Sequence, residues 1–155
     1  MSDHERALVL SLRPRFADSI LDGRKSVELR RQRVSPSPGT PVLLYASAPV
    51  MAVVGTARVA EVHVDEPDCV WHQFHLDLGL KREEFEQYVA GATRASALRL
   101  TDIDRLWAPV SLAHLRHAQP FNPPQSYRYL TCDALERLVQ GHPIASELLS
   151  RLACR

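Results

Sequence analysis

The sequence predicts an α+β fold: a mixed β-barrel with flanking helices and a C-terminal helical extension. Three observations predict it. Short aliphatic runs of strand length recur at ALVLSL, VLLYASA and MAVVGTARVAEVHV. One stretch between the strands, residues 65–90, switches to helical spacing. The chain then closes on two further helical patterns after residue 130. Many short strands with a single helical insertion make a barrel of the α+β kind. With 155 residues and 45% hydrophobic content, the chain has the size of one domain with a real core. Residues 1–130 form the main domain in this reading, and residues 131–155 a helical extension packed on it.

Taken in order, Ala7 to Leu12 is an aliphatic run closed by Arg13 and Pro14, too short for a helix and suited to a buried strand. Phe16, Ile20 and Leu21 then fall at helical intervals, and Gly23 is a natural C-terminal cap. In KSVELRR, a strand buries Val27 and Leu29 and presents Ser26, Glu28 and Arg30 together on its other face. QRVSPSPGTP is a loop by its prolines and Gly39. Val42 to Ala48 and Met51 to Val64 read as strands broken at Pro49, with Gly55 admitting a bulge.

Residues 65–90 carry two apolar stripes, Val70, Trp71 and Phe74, then Leu80, Phe85, Tyr88 and Val89, behind a helix-starting Pro67. Ala95 to Leu100 returns as strand, with a looser segment through Trp107 and Val110. Residues 120–124 are proline-rich and extended. YRYL finishes the sheet. Cys132 to Gln140 and Ile144 to Ala153 form a helical pair broken by Gly141, His142 and Pro143.

Several function classes are excluded at this stage. Met1 to Arg6 reads MSDHER and no apolar run of signal-peptide kind follows it. The longest apolar runs fall far short of the roughly 20 residues a membrane-spanning helix needs. Three cysteines, Cys69, Cys132 and Cys154, make an odd count that fits free thiols in a reducing cytoplasm. Cys69, His72 and His75, with His63 nearby, share helix-face spacing, but no further cysteine or histidine pair completes a metal set, so neither metal nor cofactor is expected.

A net charge of +1 gives no whole-molecule attraction to nucleic acid. Local charge is uneven. Residues 13–33 hold seven basic side chains against three acidic, whereas residues 65–86 hold seven acidic against Lys81 and Arg82. That asymmetry describes either one anion-facing side or two differently solvated surfaces.

The chemistry concentrates in DGRKSVELRR, residues 22–31. A glycine-ended helix delivers Lys25 to the rim of a strand bearing Glu28 and Arg30. Glu28 can accept from base amino groups, and Arg30 offers a planar fork for phosphate. Spacing alone favours the plainer reading, an exposed Glu28–Arg30 pair beside a solvated lysine.

LSLRPRFADSILDGRKSVELRR resembles the signature of the ASCH family, in which a helix ends in Gly-x-Lys and runs into a strand bearing Glu or Thr and then Arg. Here these are Gly23, Lys25, Glu28 and Arg30. LLYASAPV, VVGTARVAEV and PPQSYRYL resemble the rest of one ASCH subgroup in the same order, so the likeness covers roughly residues 7–130. The resemblance implies a PUA-like barrel whose cleft lies beside Lys25, Glu28 and Arg30, with Tyr45, Ser47, Gln125, Ser126 and Tyr127 approaching from neighbouring strands. It implies RNA or a nucleotide as partner. The tyrosines suit base stacking, although each one equally suits core packing.

Two functions compete. One is an RNA- or nucleotide-binding domain serving RNA metabolism or transcriptional regulation. The other is a small hydrolase, either a ribonuclease or an N4-acetylcytidine amidohydrolase, in which Lys25 and Glu28 would be the catalytic pair. The amidohydrolase branch uses a threonine where this chain has Glu28 and a glutamate near the place of Leu78, which weakens that version. The ligand's identity, the oligomeric state and the role of the terminal helices are not fixed by the sequence.

Overall fold

A computed structural model describes residues 6–154 of the chain. The reading of the N-terminal segment therefore lies, for residues 1–5, outside the described residues. The strands are β1 (Arg6–Leu12), β2 (Val27–Arg30), β3 (Pro41–Ala46), β4 (Ala52–Asp65), β5 (Ala95–Ser111) and β6 (Tyr127–Thr131). The helices are α1 (Pro14–Leu21), α2 (Pro67–Phe74), α3 (Arg82–Val89), α4 (Leu112–Leu115), α5 (Cys132–Val139) and α6 (Ala145–Arg151), with a short 3₁₀ turn at His75–Asp77.

The strands form one six-stranded mixed sheet in the order β2-β5-β4-β3-β1-β6. Only β1 and β3 run parallel; the other pairs are antiparallel. The α+β class holds, while backbone closure into a barrel is not part of this ladder. The two ends of the sheet nevertheless meet at a side chain. Arg30 on β2 donates to the Ser11 carbonyl of β1 at 2.9 Å and to the Ser126 hydroxyl just before β6 at 3.1 Å.

Three apolar clusters cover the sheet. Leu8, Leu10, Leu44, Leu98 and Ile20 pack α1 against the strands. Val27 and Leu29 pack beneath Phe74, Leu78 and Phe85, so α2 and α3 cover one face of β2. On the opposite side Leu135, Leu138, Ile144 and Leu148 of the terminal helices join Val9, Leu43 and Val53 of the sheet. Each such side chain contributes about 1.5–3 kcal/mol when fully buried. The C-terminal helices are thus part of the core.

Two expectations are corrected. The looser segment after Leu100 is instead the second half of β5, which runs 17 residues and follows β4 through three register shifts. The odd cysteine count predicts free thiols throughout, but Cys132 and Cys154 are joined by a disulfide and only Cys69 is free among the described residues. An odd count conceals such a pair, whose partners lie 22 residues apart and meet only because α5 and α6 fold back on each other. No helix among the described residues is long and apolar enough to cross a membrane.

Candidate functional site

The site begins where α1 ends. Gly23 adopts φ +81, a conformation that favours glycine, and the Arg24 and Lys25 amides both turn back to the Ser19 carbonyl. This turn swings Lys25 inward. Ser26 then fixes the segment on both sides, its amide donating to the Asp77 carbonyl and its carbonyl accepting from the Leu100 amide.

Lys25 is 1% exposed, among the most buried side chains in the protein. An ammonium in such a place needs partners. Its Nζ donates to the Leu78 carbonyl at 2.6 Å, pairs with Glu28 Oε1 at 3.2 Å and lies 5.2 Å from the centre of the Phe16 ring. The other carboxylate oxygen, Glu28 Oε2, accepts from Arg30 at 2.8 Å. Glu28 and Arg30 are both buried, which overturns the picture of an exposed pair beside a solvated lysine. Arg30 spends both terminal nitrogens on Ser11, Ser126 and Glu28, and among the described residues its Nε has no hydrogen-bond partner.

These three side chains line the inner wall of a cavity of about 810 Å³. Tyr45, Ser47 and Gln125 line it too. Ser126 stands behind Arg30 and orients it. Tyr127 is not part of the cavity lining; it packs half-buried at the start of β6, edge-on to Tyr129 with ring centres 6.4 Å apart. Burial raises the Tyr45 hydroxyl above the usual tyrosine value of 10.0, and Arg116 offsets this only in part. Tyr45 therefore stays a neutral hydrogen-bond donor across the physiological range.

Sequence reasoning missed the cavity's mouth. Arg13, Arg15 and Phe16 of the α1 segment face Glu84, Gln87 and Tyr88 of α3 across it. Arg15 and Glu84 form an ion pair over the opening, and the Arg15 hydrogen bond is the main reason that the Glu84 carboxyl lies below its ordinary range. Periodicity places Tyr88 in an apolar stripe, yet it is 42% exposed. A tyrosine among phenylalanine and valine in that stripe was the available signal. Four basic side chains against two acidic ones line the cavity, so it favours anions. No histidine among the described residues lines it. Among the described residues no group of three His, Cys, Asp or Glu side chains is placed to hold a metal, and Cys69, His72 and His75 are all exposed on α2 and the turn after it.

The family model described as a domain of unknown function, DUF365, matches residues 6–117. An ASCH domain-containing ribonuclease from Zymomonas mobilis is 30% identical over 132 residues, which span 84% of this chain and 88% of that protein. The chain belongs to the ASCH domain family, which DUF365 also describes. Its PUA-like fold superposes on the crystal structure of the ASCH protein from Zymomonas mobilis with a TM-score of 0.81, at 29% identity, covering 89% of this chain and 96% of that one. A serine-to-alanine mutant of the same Zymomonas protein superposes equally well at 28% identity, covering 90% and 97% of the two chains. A tyrosine-to-phenylalanine mutant does so at 29%, covering 87% and 97%. In this ASCH domain Lys25, with Glu28 and Arg30 of β2, therefore lines a half-open, anion-favouring cleft.

Proposed function

We propose that this ASCH domain is a hydrolase of single-stranded RNA, a ribonuclease rather than a passive RNA binder. The observation that carries the reading is the buried Lys25–Glu28–Arg30 array at the inner wall of a cavity of about 810 Å³, on a chain related over most of its length to an ASCH domain-containing ribonuclease. A cleft of this size admits a nucleotide with its phosphate but excludes a duplex, so the substrate is a single strand or an unpaired loop.

Cleavage by transesterification needs little covalent help from the protein. The 2′-oxygen attacks phosphorus and gives its proton to solvent, the P–O5′ bond breaks as O5′ takes a proton from solvent, and water then opens the resulting 2′,3′-cyclic phosphate to complete the hydrolysis. Negative charge grows on the non-bridging oxygens, where fixed cations and donors lower the barrier most. Lys25 retains one N–H beyond those given to Leu78 and Glu28. The Tyr45 hydroxyl and the Arg13 and Arg15 guanidiniums at the mouth supply donors of this kind for the phosphate, while the remaining Lys25 proton is left to hold the rest of the nucleotide against the inner wall. The serine and tyrosine varied in the Zymomonas mobilis structures are of the residue types that Ser126 and Tyr45 contribute here. Leu78 gives Lys25 a backbone carbonyl where an amidohydrolase would offer a glutamate, and Glu28 is committed to two cations, which favours phosphate chemistry over acetylcytidine hydrolysis.

The test is cleavage of a labelled single-stranded RNA of mixed sequence beside an N4-acetylcytidine turnover assay. Wild type should cut the RNA, Lys25→Ala should lose roughly 100-fold or more, and Arg137→Ala, at an exposed position of α5 away from the cavity, should be unchanged. No cleavage by wild type, or equal cleavage by all three, would sink the proposal. Acetylcytidine turnover abolished by Lys25→Ala would replace it.

A further inference from the structure

We infer that the inner wall of the cavity reads a base, and that the base is guanine. The inference rests on the ribonuclease reading for its substrate class, since it names the nucleotide that the same site prefers.

Lys25 and Glu28 keep hydrogen-bonding capacity that their mutual contacts leave unspent. An ammonium has three N–H donors, and Lys25 has committed one to the Leu78 carbonyl and one to Glu28 Oε1. One donor remains. A carboxylate offers two lone-pair sites on each oxygen. Glu28 Oε1 has taken Lys25, and Oε2 has taken Arg30 at 2.8 Å, so one acceptor site remains on each oxygen. Both side chains line the cavity. Because Lys25 sits beside Oε1 and Arg30 beside Oε2, Lys25 and Glu28 present a fixed order, donor, acceptor, acceptor, while the unpartnered Arg30 Nε is itself buried.

The Watson–Crick edge of guanine carries the complementary order, the O6 acceptor, the N1–H donor and the N2–H donor. Uracil offers acceptor, donor, acceptor and would set its last carbonyl against Oε2. Cytosine sets a ring nitrogen lone pair against Oε1, and adenine supplies two groups rather than three. Only guanine meets all three positions. A buried site that must leave polar groups unpaired with the wrong ligand discriminates strongly. The rest of the cavity suits a base, because Phe16, Leu80, Tyr88, Pro123 and Pro124 give it apolar walls. An unpaired base inserted edge-first is how proteins read single-stranded RNA.

Titration with the 3′-monophosphates of guanosine, inosine, adenosine, cytidine and uridine tests this directly. Inosine keeps the first two positions and lacks the third, so the expected order is guanosine first, inosine second, the others at least about tenfold weaker than guanosine. In Glu28→Gln the guanosine-to-adenosine ratio should collapse toward one. That ratio is independent of the fraction of variant that folds. Equal affinity for all five ligands in wild type, or an unchanged ratio in Glu28→Gln, overturns the inference. Mapping cut positions on RNA separates the two claims: guanine-selective binding with no cleavage removes the ribonuclease reading alone, and cleavage without base preference removes the base reading alone.

Discussion

Tyr45 and Lys25 show how burial assigns a role to a side chain that the sequence leaves ambiguous. Tyr45 is 3% exposed, and burial keeps its hydroxyl protonated above the usual value of 10.0. A phenol held neutral in the lining of the cleft is available there as a hydrogen-bond donor. Tyr45→Phe should lower kcat on RNA by roughly 10–100-fold with KM nearly unchanged, measured by steady-state kinetics. The same shift has a stability consequence. The folded state holds the Tyr45 proton more tightly than the unfolded chain, so stability should fall as pH rises through 10.0, where the unfolded tyrosine ionises first. Denaturant midpoints between pH 8 and 11, titrated at about half-unit steps, should flatten in Tyr45→Phe relative to wild type.

Two glycines separate local strain from positioning at the scale of an element. Gly23 ends α1 at φ +81 with open space where a Cβ would stand, whereas at Gly79, with φ +67, a Cβ would come within 3.2 Å of the Lys25 Cβ. Either alanine variant meets the left-handed backbone penalty of about 1–2 kcal/mol. Only Gly79→Ala also pushes on Lys25. Both should lose similar stability, while Gly79→Ala alone should lose most of its cleavage rate per folded molecule; equal activity loss would place the effect in the backbone and not in Lys25. A second element, the turn between α5 and α6, carries its own pH dependence. Burial and then the neighbouring His114 hold His142 below its usual 6.5, against a smaller opposing hydrogen bond at Pro109. The folded state therefore binds this proton less tightly than the unfolded chain. Stability should decline as pH falls below 6.5, and His142→Gln should remove much of that slope in melts at pH 5 and 7.

For the whole molecule, the terminal helices and the sheet share one core, and the disulfide closes it covalently. Cys132 and Cys154 bound a loop of 22 residues, for which the chain-entropy account gives about 3 kcal/mol. Cys132→Ser, or reduction of wild type, should reduce unfolding free energy by about that amount. The fold itself should persist, because Leu135, Leu138, Ile144 and Leu148 remain buried against β1, β3 and β4. An unchanged denaturation curve with and without reductant would show that the bond does not form in solution.

Strand and helix identities were largely legible in the chain, because apolar periodicity and the glycine and proline punctuation are local properties. β1, α1, β2, β3, β4 and the two terminal helices fall close to their predicted places. The Lys25–Glu28–Arg30 motif was legible too, since two-residue alternation puts Glu28 and Arg30 on one face of β2. What only the tertiary structure decided is whether that face meets water. Its burial depends on Leu78, Gly79, Ser11 and Ser126, which lie as many as 96 residues from Arg30 and carry no local mark of their destination. The same physical reason explains the missed mouth and the missed disulfide. Glu84 meets Arg15 across 69 residues and Cys132 meets Cys154 across a helical hairpin, and spacing along a chain gives no information about contacts that depend on how its elements pack.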